Sequence, residues 1–428
     1  MKTSLTTLKN NLRVIMIDTA SFPSATCMLL VGAGSRYENK VNNGVAHFFE
    51  HMAFKGSKKY PDAFTISSTV DNLGGNFNAF TSNDHTGYFI KAPVEHFETV
   101  IDLLSDMIQT PKLKQEDIER EKGVIVEEIN MGKDNPSREV FDDYEKLLYD
   151  GNPLGMPTIG YKETVTKFTR KTFTDYIDTF YRPSNVICVV AGGLSQSGKT
   201  EKQLLRMIED RLSGWTDKKT PECIPYTSSQ KNTEIATENK KTEQVHFVLG
   251  FRTFSFFDKR RHVLAVLAAI LGKGMSSRLF TEVREKRGLC YYIHTYSDLY
   301  ADTGSIFTHA GVRSDVKQVQ EAIKAIIKEH VSIRQGRVTD SEIKKAKELL
   351  KGGLILSLED TYAVASYYGR MLLLEKEMKD PSDLIASIKA VTKSEIVELA
   401  KEIFTPKNIN LAFIGNIKKS DVATAIKF

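Results

Sequence analysis

The chain has 428 residues, enough for two or more domains, each with its own core. With 41% hydrophobic and 26% charged residues it has an ordinary globular composition, and no apolar run is long enough to span a bilayer. The formal net charge of +5 is small and spread along the chain, so no nucleic-acid partner is expected.

In chain order, a strand at Leu12–Ile17 and a second at Thr26–Val31 read as a hairpin across a Ser21-Phe22-Pro23 turn. An apolar helical stretch, Gly44 to Phe54, follows, and then a helix near Thr65–Leu73 stopped by Gly74-Gly75. Asn76–Thr81 and Thr86–Ala92 form a second expected hairpin. Apolar positions at Phe97, Val100, Ile101, Leu104 and Ile108 predict a helix, and Gln115–Met131 a longer one. Polar residues dominate to about Gly160. Helix Thr172–Phe180, the very apolar strand Val186–Ala191 and helix Lys199–Leu212 complete the first half.

A polar, proline-containing stretch then reads as a linker, and a strand at Gln244–Gly250 opens the second half. That half repeats the first. Tyr181-Arg182-Pro183-Ser184-Asn185-Val186 lines up with Phe404-Thr405-Pro406-Lys407-Asn408-Ile409, an offset of 223. Glu116 to Arg120 lines up with Ser341 to Lys345 at 225. The expected class is α+β: two homologous α/β halves, each a mostly antiparallel or mixed sheet packed with helices. The expected domains are 1–215 and 234–428, joined by a linker at 216–233.

Chemistry concentrates in His47-Phe48-Phe49-Glu50-His51, an H-x-x-E-H motif. His47 and His51 are four apart and share a helix face, where two imidazoles close on one divalent metal. Glu50 lies beside them, placed to take a proton from a water that the metal activates. A zinc site needs a third protein ligand. Glu128 and Glu127 are the candidates, and the spacing does not choose between them. Glu121 is seven residues before Glu128 and shares its face. At offset 225, Glu121 and Glu128 face Ala346 and Gly353, so the second half carries no copy of this chemistry.

The chain resembles the pitrilysin/insulysin zinc metallopeptidases, in particular their mitochondrial-processing-peptidase-like bacterial branch. The motifs that carry the resemblance are Gly32-Ala33-Gly34-Ser35-Arg36, His47 to Gly56, Gly75 to Thr81, Glu121 to Ile129 and Gly274 to Phe280. The resemblance implies one Zn²⁺ per chain on His47, His51 and Glu128, with Glu50 as general base and Glu121 behind the ligands. It implies substrate contacts at Asn78, Ala79 and Phe80, on a strand that pairs with an extended peptide. It places Arg284 and Tyr291 over the substrate, where they stabilise the oxyanion. The implied protein is an endopeptidase for short or unfolded peptides, shaped as half of a clamshell, and a homodimer whose halves close a chamber.

Two alternatives compete. Gly193-Leu194-Ser195-Gln196-Ser197-Gly198-Lys199-Thr200 matches the phosphate-loop pattern between a strand and a helix, so residues 193–200 suggest nucleotide binding. A non-catalytic scaffold subunit of the same fold is the other. Cys27, Cys188, Cys223 and Cys290 form no C-x-x-C pair, and no signal-peptide or transit-peptide pattern is visible, so the expected location is the cytoplasm, with no membrane partner.

Overall fold

A computed structural model describes residues 1–20, 22–375 and 378–426. Ser21, at the expected first turn, lies outside the described residues. The strands are β1 (Lys2–Thr7), β2 (Arg13–Asp18), β3 (Ser24–Val31), β4 (Asn76–Thr81), β5 (Thr86–Pro93), β6 (Val186–Gly192), β7 (Glu234–Glu238), β8 (Gln244–Thr253), β9 (Cys290–Leu299), β10 (Gly304–Arg313) and β11 (Ile409–Ile414). Helices of the first half are α1 (Val45–Ala53), α2 (Ala63–Asn72), α3 (Phe97–Gln109), α4 (Gln115–Lys133), α5 (Pro136–Leu148), α6 (Lys162–Val165), α7 (Arg170–Phe180) and α8 (Glu201–Leu212). Those of the second are α9 (Arg261–Gly272), α10 (Val316–Arg334), α11 (Asp340–Ser357), α12 (Thr361–Leu374), α13 (Pro381–Ala390), α14 (Lys393–Ile403) and α15 (Lys419–Ala423).

The first sheet has the order β1-β2-β6-β3-β5-β4, and the second β7-β11-β8-β10-β9. Within each, one pair is parallel (β2 with β6, β7 with β11) and the others are antiparallel. The repeat and the mixed sheets expected from the sequence are therefore present. The β4–β5 hairpin is also present, in the register Asn76↔Lys91 to Thr81↔Thr86.

The hairpin expected between β2 and β3 does not form. β6 inserts between them, parallel to β2 and antiparallel to β3. Composition explains this. Every residue of β6 is buried, with Val186, Cys188 and Val190 in one core and Ile187, Val189 and Ala191 in another. A strand apolar on both faces belongs in the middle of a sheet.

The compact units also differ from the expected contiguous domains. One comprises residues 1–129, 156–224 and 356–379; the other comprises 130–155, 225–355 and 380–428. The reason is the second face of each sheet. In the first unit that face, Ile15, Ile17, Met28, Leu30, Ile187 and Val189, is covered by Val364, Ala365, Tyr368 and Leu372 of α12. In the second unit, Val248, Phe307, Ala412 and Ile414 are covered by Val140, Tyr144 and Leu148 of α5. A fully buried apolar side chain contributes roughly 1.5–3 kcal/mol. Several on one helix rival the ~5–15 kcal/mol by which a domain is stable, so each sheet needs its covering helix. Helix α5 falls where the sequence shows mainly charge. Only its Val140, Tyr144 and Leu148 stripe is buried.

Candidate metal centre

Helix α1 buries Val45, Ala46, Phe48, Phe49, Met52 and Ala53, which leaves His47, Glu50 and His51 half-buried on one face. Phe48 packs on Phe173 and Phe49 on Tyr181, so the helix cannot roll. Its start has no side-chain cap, because Gly44 (φ 95°) sits against Gly160, where a Cβ would meet the Gly160 Cα at 2.8 Å. Glu38 caps the helix instead. Its Oε2 accepts from the Gly44 N–H (2.7 Å) and its Oε1 from the Ala46 N–H (2.8 Å). A carboxylate here also meets the positive end of the helix dipole. Burial pushes the Glu38 carboxyl up to about 8, against the pull of these donors.

Helix α4 brings Glu128 to the same place. Glu128 Oε2 lies 3.8 Å from His47 Nε2 and 3.7 Å from His51 Nε2. Two donors on a tetrahedral zinc with bonds of about 2.1 Å stand roughly 3.4 Å apart, so this set fits the ion with small side-chain adjustment. Among the described residues it is the one His/Cys/Asp/Glu group so gathered. Glu127, open on sequence spacing, is exposed and outside the group.

Glu121, 3% exposed, accepts from His51 Nδ1 at 2.9 Å and pairs with Lys55 Nζ at 2.6 Å. The proton is thereby held on His51 Nδ1, and the Nε2 lone pair faces Glu128 and His47. Burial would raise the Glu121 carboxyl, but His51 and Lys55 bring it below its ordinary value. Burial likewise works against charge on His51, and the carboxylates around it outweigh that and raise its pKa.

Glu50 Oε2 accepts from the Thr81 hydroxyl at 2.6 Å. Burial lifts the Glu50 carboxyl above its ordinary range, with Glu128 adding to the lift; Thr81 and His51 pull the other way. Thr81 ends β4, one of the two edge strands of the first sheet. The turn after it is held by Gly34, where a Cβ would meet the Ser82 carbonyl oxygen at 2.1 Å, and by buried Arg36, paired with Asp84 at 2.9 Å.

The other sequence candidates fall in two places. Ala79 shares the Thr81 face of β4. Asn78 and Phe80 point to the opposite face, where Phe80 packs near Tyr362. Arg284 and Tyr291 belong to the second unit. The Arg284 guanidinium lies over the Phe280 ring (4.5 Å) and beside that of Tyr291 (5.8 Å). Arg284 sits in a π-helical turn, Phe280–Glu285, and Tyr291 is 74% exposed.

Residues 193–200 do not form an anion cradle. Leu194–Ser197 is a 3-10 turn, the Lys199 N–H donates to Ser197 Oγ, and Thr200 caps α8 by accepting from the Gln203 N–H. Capping chemistry accounts for this sequence pattern. Sequence spacing missed Thr81 as a partner of Glu50, Lys55 as a partner of Glu121, and the Glu38 cap. Lys55 had a readable signal, since it lies one helical turn after His51.

Two family models cover most of the chain. The model described as "Insulinase (Peptidase family M16)" matches residues 13–162, and "Peptidase M16 inactive domain" matches residues 167–350. A zinc protease of Bacillus subtilis, YmxG, is 33% identical over 93% of this chain and 95% of its own. The chain belongs to peptidase family M16. A Streptomyces coelicolor member, also named a zinc protease, is 33% identical over 96% of this chain and 89% of its own. The M16 fold is matched by a Helicobacter pylori protease structure with a TM-score of 0.90 at 23% identity, covering 97% of this chain and 99% of that one. Among the described residues no helix is long and apolar enough to cross a membrane.

Proposed function

We propose that the chain is a zinc-dependent endopeptidase acting on short or unfolded peptides. The observation that carries this reading is the convergence of His47, His51 and Glu128 donor atoms beside a half-buried Glu50. Relatives named zinc proteases support it.

His47 Nε2, His51 Nε2 and Glu128 would hold the ion. Bound zinc supplies Lewis acidity, which brings a water pKa to about 7 and polarises a carbonyl. Glu50, held by Thr81, takes the proton from the attacking water and passes it to the leaving amine. Glu121 fixes the His51 tautomer, and Lys55 keeps Glu121 ionised. An extended peptide would add to the free edge of β4 at Asn78 and Ala79, its backbone supplying the pairing. Phe80, turned to the other face, would support that strand from behind. Arg284 and Tyr291 would bind carbonyl oxygens of the peptide and its oxyanion. A homodimer closing a chamber explains a preference for chains thin enough to enter. The buried free thiols of Cys27 and Cys188 suit a cytoplasmic setting.

The test is metal analysis combined with digestion of a peptide library by wild type and Glu50→Gln, with and without chelator. One zinc per chain in both proteins, and hydrolysis in wild type alone, is expected. Full hydrolysis by Glu50→Gln would overturn the reading.

A further inference from the structure

The two sheets correspond strand for strand except at one edge. In the first, β2 pairs with β6 on one side and with β1 on the other, in antiparallel register from Lys2↔Asp18 to Thr7↔Arg13. In the second, β7 stands where β2 stands, parallel to β11, and no described strand covers its outer edge. An uncovered edge presents unpaired N–H and C=O groups to any extended chain.

The same edge borders a groove of about 600 Å³, lined on the β7 side by Glu234, Ala236 and Glu238 and on the α5 side by Asp143, Lys146 and Asp150. Carboxylates outnumber cations there. Arg252, which also lines the groove, donates to the Leu148 carbonyl and to Gln230 and stands 3.9 Å from Glu234, which leaves Asp143 and Glu238 among the carboxylates it does not reach. Nearby Lys240 is bound to Glu139 at 3.0 Å. Burial and then the charges of Glu238 and Glu139 push Asp143 up to about 6 against the pull of Lys146, so the positive charge nearby does not offset the crowding of carboxylates at Asp143.

The first unit shows what covers such an edge: a single strand, β1, in antiparallel register with β2. We propose that β7 is a docking edge for a Lys- or Arg-rich extended segment of another protein. The segment adds antiparallel to β7, as β1 adds to β2, and turns alternate basic side chains toward Asp143 and Glu238. Main-chain pairing supplies affinity, and the carboxylates supply the preference for basic residues.

The probe is a seven-residue Lys/Val alternating peptide, with its Glu/Val counterpart as control. The protein is the full chain carrying Glu50→Gln, so that the probe stays intact. Amide hydrogen exchange at residues 234–238 is expected to slow with the Lys/Val peptide and to stay unchanged with the Glu/Val one. Affinity is expected to fall about tenfold in Asp143→Lys/Glu238→Lys, with Asp143→Asn/Glu238→Gln as the milder pair should the first not fold. Hydrolysis of a short reporter by the same substitutions in the wild-type background is expected to be unchanged. Three outcomes overturn the proposal: binding that leaves residues 234–238 exchanging at the free rate, equal affinity for the two peptides, or protection of this edge by self-association alone.

Discussion

The α1–β4–α4 region of the first unit and the α9–β9–α11 region of the second occupy equivalent places in two copies of one frame, yet among the described residues only the first gathers a His/Cys/Asp/Glu group. Both α1 and α9 run into a Lys-Gly pair, Lys55-Gly56 and Lys273-Gly274, whose glycines have positive φ (127° and 88°). Counting back from those pairs, Ala265, Ala268 and Ala269 stand where His47, Glu50 and His51 stand. On α11, Gly353 replaces Glu128. What remains in the second unit is a pocket of about 440 Å³ lined by those three alanines, Gly272 and His294 to Asp298 of β9. The frame therefore does not require the chemistry, which depends on a few polar side chains and the partners that make their burial tolerable. Glu121, Lys55 and Thr81 are those partners in the first unit, and Ala346 occupies the Glu121 position in the second.

Variants in both units bear on that contrast. The largest effect is expected from Glu50→Gln, which should lower kcat by roughly 10³-fold while zinc content stays at one per chain. His51→Ala should lose both, and an active His51→Ala protein would break the contrast outright. Glu121→Gln frees the His51 tautomer and should weaken zinc binding by about 10–100-fold, measured by competition with a chromogenic chelator. Thr81→Val should lower kcat about tenfold with KM and zinc content unchanged, and Thr81→Ser should restore it. A change confined to KM would remove Thr81 from the support of Glu50.

A smaller effect is expected in the second unit. Asp143 titrates near 6 in the fold against an ordinary 3.8, so the stability linked to it is complete below that lower value and is lost as pH rises through about 6. Asp143→Asn removes that loss. Its Tm should exceed wild type by a few degrees at pH 7–8 and match it below about pH 4. The smallest expected effect is none: Ala265→His/Ala269→His, combined with His294→Gln to remove the imidazole that lines the same pocket, should bind no second zinc, because Gly353 offers no carboxylate where Glu128 stands. Two zinc ions per chain in that variant would show that two histidines on this frame suffice.

Much of this was legible in the primary structure, and the omissions share a cause. The H-x-x-E-H spacing put His47, Glu50 and His51 on one face, and the offset between halves exposed the duplication. The helices around the candidate metal centre were readable because their periodicity is local. Helix α5 was missed because only a narrow stripe of it is apolar. The β2–β3 hairpin was expected because neighbouring strands usually pair, whereas β6, from more than 150 residues later, takes the central place. Thr81 was visible as the last residue of a strand, but nothing in its spacing tied it to Glu50.

The sequence by itself determined the helix that carries His47, Glu50 and His51, the pair of repeats, the absence of the motif from the second half and the acidic face holding Glu121 and Glu128. Each of these is a matter of spacing along one element. The tertiary structure decided what spacing left open, that Glu128 rather than Glu127 meets the histidines, and it alone decided that Thr81 holds Glu50 and that each sheet is covered by a helix from the other half of the chain. Those outcomes turn on which apolar surfaces bury one another and which polar atoms come within hydrogen-bonding reach, and chain spacing encodes neither until the chain has folded.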